Sequence, residues 1–440
     1  MNASLLMLLL AIPAADPNEK PSPFEERAKE FVTALDKGRF SDASKDFSDA
    51  MKMALPGDKL AEIWKQIIKQ VGPLEKQLSA RSEKSDPFDI VYVRCKFEKM
   101  TLDVKVVYDK QQKLTGLNFL PADRADNKDR FPTPPYAKPD SYRESQAKVG
   151  TGEWVLPGTL TVPKGDGPFP AVVLVHGSGP QDRDETLGLT KTFRDLAWGL
   201  ASNGIAVLRY EKRTKEHALK MLGSKTLTVK EETVDDALLA AEALRKSPGI
   251  DPKRVFIIGH SQGAMMAPRM ALADKSLAGI VMLAAPSRPL EDVTLEQTGR
   301  MLKNRDLLSQ QGLKLIEALD HIARLYKEGK LTDETSPEEL LRLSPKYWRS
   351  LYGFTTVPDA QKLEMPILIL QGENDVQVTM VDFAGWQKAL KSHPNATLKS
   401  YPKLGHTFTP YDPMPGAEEG SKPANVAPEV IADIAAWIKK

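Results

Sequence analysis

The spacing of apolar residues changes character along the chain, and each change predicts a different kind of structure. Phe24, Ala28, Phe31, Val32 and Leu35 recur at helical spacing, and a second amphipathic stretch covers residues 60–78. Alternating segments follow at 90–97 and 102–108, and the polar Asp109-Lys110-Gln111-Gln112 separates the second of them from a run at 114–120. Helices first and an antiparallel meander afterwards predict a small α+β unit over 21–122. Pro132, Pro134, Pro135 and Pro139 then sit among charged and small residues, which interrupts regular structure and predicts a linker over 123–140.

Beyond the linker, apolar runs alternate with stretches of helical period. Residues 143–150 and 154–162 read as opening antiparallel strands, with Gly158 at a bulge or turn. Strands are expected at 171–175, 205–210, 255–258, 280–284, 366–370 and 397–401. Strands joined by helical crossovers form a mainly parallel sheet covered on both faces, so 141–440 is expected to be an α/β domain with its functional loops at the carboxyl ends of the strands. Between 286 and 362 there is helical periodicity and no strand signal, which predicts a helical cap. Its aromatic stretch, Tyr347, Trp348, Tyr352 and Phe354, either walls a substrate-shaping lid or packs down on the sheet.

The chemistry concentrates in those loops. Gly259-His260-Ser261-Gln262-Gly263 follows the run at 254–258 and leads into a helix-compatible stretch at 264–273. A G-x-S-x-G at such a turn lifts the serine hydroxyl above the sheet, beside helix-start amides that have no intrahelical partner. Ser261 is the candidate nucleophile. Asp375, in Gln371-Gly372-Glu373-Asn374-Asp375, is the candidate orienting acid, with Glu373 its rival in the same loop. His406 in Lys403-Leu404-Gly405-His406, one of six histidines, is the candidate base, and Gly405 is expected to let the backbone turn. The order Ser, Asp, His is the one this kind of nucleophile turn requires. Candidate oxyanion donors are the amides of Gln262 and of Ser178 in His176-Gly177-Ser178-Gly179-Pro180, with Gly177 as the alternative. Met265, just after the nucleophile, together with Tyr347 and Trp348, is a candidate for contact with substrate; core packing is the other reading of all three.

With these loops in place the chain resembles the α/β-hydrolase superfamily from about Ser141 to its end. Residues 176–185, 193–201 and 207–215 further resemble exported bacterial serine hydrolases, of esterase or serine aminopeptidase-like type, that carry a small amino-terminal domain of unknown function. The resemblance implies Ser261, Asp375 and His406 as a triad and the Ser178 and Gln262 amides as an oxyanion hole; the reaction expected of these residues is hydrolysis of a carboxylic ester through an acyl-enzyme. A peptide, amide or thioester is the alternative substrate. By element order alone, residues 21–122 resemble nuclear-transport-factor-like folds. A non-catalytic envelope binding module is the competing reading of the whole chain, and the complete Ser, Asp, His set speaks against it.

Composition changes little in this picture. Lys+Arg 61 against Asp+Glu 59 leaves no global field to gather nucleic acid. Cys95 is the only cysteine, which excludes an internal disulfide and a cysteine-rich metal site. No phosphate or dinucleotide loop and no zinc spacing is present, so no cofactor and no metal is expected, and the partner is a small-molecule ester or peptide-like substrate. The charges of Gln181-Asp182-Arg183-Asp184-Glu185 are expected to pair within that loop, and Arg209, Lys212 and Arg213 to serve a salt-bridged scaffold. Residues 4–12 are an apolar core of signal-peptide length, followed by Pro13-Ala14-Ala15, so residues 1–15 are expected to direct export and to be removed. No cysteine stands there for a lipid anchor, and no stable membrane attachment is expected.

Overall fold

A computed structural model describes residues 23–85, 88–121, 131–222, 224–303, 310–413 and 419–440, and the expected signal peptide lies outside them. Among the described residues the chain divides into two compact units, 23–121 and 131–440.

In the smaller unit, helices Pro23–Asp36, Phe40–Ser44, Asp49–Ala54 and Gly57–Val71 precede β1 (Leu74–Ser85), β2 (Phe88–Phe97), β3 (Thr101–Tyr108) and β4 (Leu114–Pro121). The strands form an antiparallel meander in the order β1-β2-β3-β4. The helical stripe of Ala28, Phe31, Val32 and Leu35 meets the inward residues of β2, Val91, Val93, Cys95 and Phe97, in one core. Trp64 fills its middle, its ring 5.9 Å from both Phe97 and Phe119. The helix expected to run to Leu78 ends at Val71, because Gly72 takes φ +81° and Pro73 follows. The residues after Pro73 form the edge strand β1 instead, whose polar composition hid it from the periodicity.

The larger unit is built on β5 (Tyr142–Val149), β6 (Leu156–Pro163), β7 (Phe169–Val175), a two-residue hairpin β8 (Thr186–Leu187) and β9 (Thr190–Lys191), then β10 (Ala206–Tyr210), β11 (Ile250–His260), β12 (Gly279–Leu283), β13 (Ile367–Gly372) and β14 (Ala396–Tyr401). The main sheet has eight strands in the order β14-β13-β12-β11-β7-β10-β6-β5. Every neighbouring pair from β14 to β10 is parallel, and β6 and β5 add the antiparallel edge. Side chains of β7 show how both faces are used: Ala171, Val173 and Val175 join the core under helices Asp236–Arg245 and Gln262–Ala273. Val172 and Leu174 join the core under helices Thr192–Ser202 and Pro428–Ile438. A strand buried on both sides reads as a continuous apolar run, and the carboxyl ends of β7, β11 and β13 open into the loops that hold the candidate chemistry.

Two expectations need correction. Gly158 lies in regular register within β6, opposite Ala147 and Tyr210, and is glycine because a Cβ there would meet Arg209 O at 2.8 Å. The segment from Phe131 is not a free linker: Arg194 donates to the carbonyls of Phe131 and Pro132 at 3.2 and 3.0 Å, and Tyr136 Oη donates to Val426 O at 2.8 Å. The larger unit therefore begins ahead of its first strand. Between β12 and β13 the chain forms helices Leu290–Lys303, Gln310–Lys327, Pro345–Tyr352 and Val357–Ala360. The third of these starts on the Ser344 side chain, which accepts from Tyr347 N at 3.1 Å, with Pro345 in the first turn.

Candidate active site

β11 runs to His260, and the chain reverses at Ser261 into helix Gln262–Ala273. Ser261 has φ +52° and ψ −114°, a region that costs a non-glycine residue of order 1–3 kcal/mol. Its own N–H is held by Leu283 O at 2.8 Å. The flanking glycines permit the turn through proximity: a Cβ on Gly259 would lie 2.4 Å from the Gly263 carbonyl, and one on Gly263 would lie 2.2 Å from Val175 O. The amide of Gln262, at the first helical position, has no carbonyl partner among the described residues.

Asp375 and His406 arrive from the ends of β13 and β14. His406 Nδ1 donates to Asp375 Oδ2 at 2.7 Å, which leaves Nε2 with its lone pair. The carboxylate is held in turn by Gln371 Nε2 at 3.2 Å on Oδ2, and by the amides of Gln377 and Val378 at 2.7 and 2.9 Å on Oδ1. Glu373 is exposed and accepts from Ser400 Oγ at 2.8 Å, so Asp375 is the carboxylate that faces the ring. Ser261 Oγ makes no hydrogen bond to His406 among the described residues; such contacts commonly tighten only when substrate binds. Gly405 does not adopt positive φ, contrary to the turn expected of it. It is glycine because a Cβ would sit 2.6 Å from the Glu419 carboxylate, which accepts the amides of His406 and Thr407 at 2.9 and 2.7 Å.

In the glycine-rich loop after β7 the amides of Gly177 and Ser178 differ. Gly177 N–H donates to Glu185 Oε1 at 2.7 Å, so Gly177 is withdrawn as an oxyanion donor. The Ser178 N–H has no acceptor among the described residues, and Ser178 is exposed. His176 is buried between Phe193 and Tyr210, and burial takes its pKa down to about 4, so the ring stays neutral while Nε2 donates to Asp182 O at 3.1 Å. His260 behaves in the opposite way. Burial favours its neutral form, but the Glu185 carboxylate outweighs this and pushes it up to about 9. Glu185 Oε2 lies 3.1 Å from His260 Nδ1, in ion-pair contact but out of line for a hydrogen bond, and His260 Nε2 donates to His406 O at 2.9 Å.

Among the described residues, the charges of 181–185 pair with other elements and not with one another, contrary to the pairing expected within that loop. Asp184 holds Lys191 and Arg209, each at 2.9 Å; burial opposes its ionisation, but the two cations bring it down to about 2. Arg183 pairs with Glu211 at 2.7 Å, and Arg213 with Asp236. Lys212 is buried, with its Nζ donating to Gly177 O at 2.7 Å and lying 3.3 Å from Glu232. Glu185, Lys212, Glu232 and Glu419 escaped the sequence reading as contributors to the site. Only the density of charge around His176 hinted at the first two.

The three candidate substrate contacts lie in the core. Met265 is 1% exposed, on the side of its helix that packs against the sheet. Trp348 donates to Leu340 O at 3.0 Å within an aromatic cluster with Tyr347 and Tyr352. Tyr347 turns its hydroxyl to Glu232 Oε2 at 2.8 Å. Among the described residues no group of His, Cys, Asp and Glu is arranged to hold a metal ion, and no helix is long and apolar enough to cross a membrane.

Comparison with known proteins adds three findings. Residues 172–418 match the model of the alpha/beta hydrolase family, and residues 28–117 match that of a protein of unknown function (DUF3887). The chain is 34% identical over 418 residues to esterase EstD of Thermotoga maritima, a match that covers 95% of this chain and 96% of that protein. Among solved structures, Est1E from Butyrivibrio proteoclasticus is 14% identical with a TM-score of 0.43, covering 67% of this chain and 98% of that one. The esterase of the archaeon Pyrobaculum calidifontis is 18% identical with a TM-score of 0.42, covering 68% and 85%.

Proposed function

The chain belongs to the α/β-hydrolase family, and on that footing we propose that it is a serine esterase in which Ser261 attacks the ester carbonyl. His406 Nε2 takes the hydroxyl proton as the Oγ–carbon bond forms, and Asp375 steadies the imidazolium through Nδ1. The Gln262 and Ser178 amides receive the oxyanion of the tetrahedral intermediate; each such donor accounts for about 10²–10³ in rate. His406 returns the proton to the departing alcohol oxygen as the ester C–O bond breaks. A water, deprotonated by the same nitrogen, then attacks the acyl-enzyme, and Ser261 leaves with its proton restored.

The observation that carries this reading is the meeting, at one end of the sheet, of a serine held at φ +52°, two unbonded amides and a His406–Asp375 pair at 2.7 Å. Likeness to an esterase over 95% of the chain supports the choice of an ester as substrate. Mass spectrometry after a fluorophosphonate probe should place one adduct on Ser261, and p-nitrophenyl acetate should be turned over. Ser261→Ala should lose both, with turnover down about 10⁴-fold or more. An adduct that survives this substitution, or a wild-type protein that neither labels nor turns over, sinks the proposal. We also propose export with removal of residues 1–15, for which an intact Met1 on the purified native protein is the refuting result.

A further inference from the structure

Resting on the esterase reading, we propose that Lys212 is a positioning residue of the oxyanion loop: its ammonium holds the Gly177 carbonyl so that the Ser178 N–H faces the reacting oxygen. Gly177 and Ser178 are joined by a trans peptide, in which C=O and N–H point to opposite sides. Lys212 Nζ donates to that carbonyl at 2.7 Å from the buried side, which directs the Ser178 N–H to the exposed side. Gly177 itself lies against the nucleophile: a Cβ on it would stand 3.2 Å from Ser261 Cβ. From its other end Gly177 is held by Glu185, which takes its N–H at 2.7 Å. Two buried charges of opposite sign therefore grip the N–H and the C=O of one residue.

Lys212 is itself anchored. Its amide donates to Gln181 O at 3.1 Å, and its ammonium lies 3.3 Å from Glu232 Oε1. Glu232, 1% exposed, sits in a π-helical turn at Lys230–Asp235 and accepts Tyr347 Oη at 2.8 Å and, more weakly, Gln262 Nε2 at 3.5 Å. Burial raises the Tyr347 hydroxyl well above its ordinary pKa, with Glu232 adding to the shift, so it remains a donor. The path from Tyr347 through Glu232 and Lys212 to Gly177 thus runs from a cap helix to the oxyanion loop. A buried ion pair is commonly matched or bettered in stability by apolar side chains of similar size. An ion pair whose only aligned ammonium bond among the described residues goes to this carbonyl makes sense if the carbonyl's direction matters.

A donor aimed at the oxyanion acts more strongly in the transition state than on bound ester, so misplacing it lowers kcat and spares KM. In the full chain with p-nitrophenyl acetate, Lys212→Met should lower kcat about 10²-fold with KM within about 3-fold. Affinity for a trifluoromethyl ketone, which adds to serine as an oxyanionic hemiketal, should fall by a similar factor. The single variant leaves Glu232 unpaired and is at risk of misfolding; Lys212→Met/Glu232→Gln removes both charges and should show the same losses while melting cooperatively. Tyr347→Phe should lower kcat about 3- to 10-fold with KM unchanged, as expected for loss of one hydrogen bond at a distance. A folded double variant whose kcat and ketone affinity stay within about 3-fold of wild type overturns the assignment, as does a loss confined to KM. Fluorophosphonate labelling of the wild type separates the two levels. Absence of labelling sinks the serine reading, whereas normal labelling with indifferent Lys212 variants sinks only the role of Lys212.

Discussion

The two units bury charge to different ends. In the smaller one, Asp103 on β3 is 3% exposed and meets Arg94 across the strand pair at 3.0 Å and Arg81 at 3.6 Å. These are cross-strand contacts within one sheet. Cys95 belongs to the same economy of packing: burial, with a smaller push from Asp103, raises its thiol to about 12, where it is inert as a nucleophile. In the larger unit His176, Glu185, Lys212, Glu232, His260, Asp375 and His406 are all buried, and they come from segments far apart in the chain. They surround a serine in a costly conformation and amides left without acceptors. Buried charge by itself therefore does not distinguish a candidate reaction site from a scaffold; its convergence on a strained serine at a helix start does.

The largest test of this contrast is Asp375→Asn, which should lower kcat on p-nitrophenyl acetate about 10⁴-fold, while Glu373→Gln in the same loop stays within about 3-fold. Equal losses would show that the exposed carboxylate also matters to the chemistry. Next comes the Glu185–His260 pair. The His260 pKa is raised in the folded state, so its stabilisation is fully present below about pH 6.5 and is lost as pH rises through about 9. The gap in unfolding free energy between wild type and His260→Gln should therefore be a few kcal/mol near pH 6 and should narrow towards pH 9.5. A gap that widens with pH refutes the charged pair. Asp103→Asn should cost about 1–3 kcal/mol by leaving Arg94 and Arg81 poorly matched, yet leave turnover per fluorophosphonate-titrated site unchanged. A drop in that turnover would connect the small unit to catalysis. Smallest in stability terms, Ser261→Gly should raise stability by about 1–2 kcal/mol as φ strain is released, with activity abolished. No gain on thermal melting would mean that the turn is unstrained.

Much of the site was legible because its parts are local. Strand, turn and helix around Ser261 lie in one continuous stretch, and Asp375 and His406 each follow a recognisable strand, so motif and periodicity point to all three. Other features depend on residues that only the fold brings near. Gly405 is required by Glu419, Gly177 is withdrawn by Glu185, and the Gly177 carbonyl is held by Lys212. The edge strand β1 was missed because an edge exposed to water needs no apolar alternation, and the Gly72-Pro73 stop was overridden by the helical pattern on either side.

The sequence alone determined the two-unit organisation, the order of most strands and the identity of the nucleophile, acid and base candidates, since these follow from backbone preference and short-range pattern. Which amides remain open, which carboxylate faces His406 and which buried charges hold the oxyanion loop were decided only by tertiary structure. Those outcomes depend on hydrogen bonds and close approaches between segments far apart in the chain, where one ångström determines whether a group is spent or free.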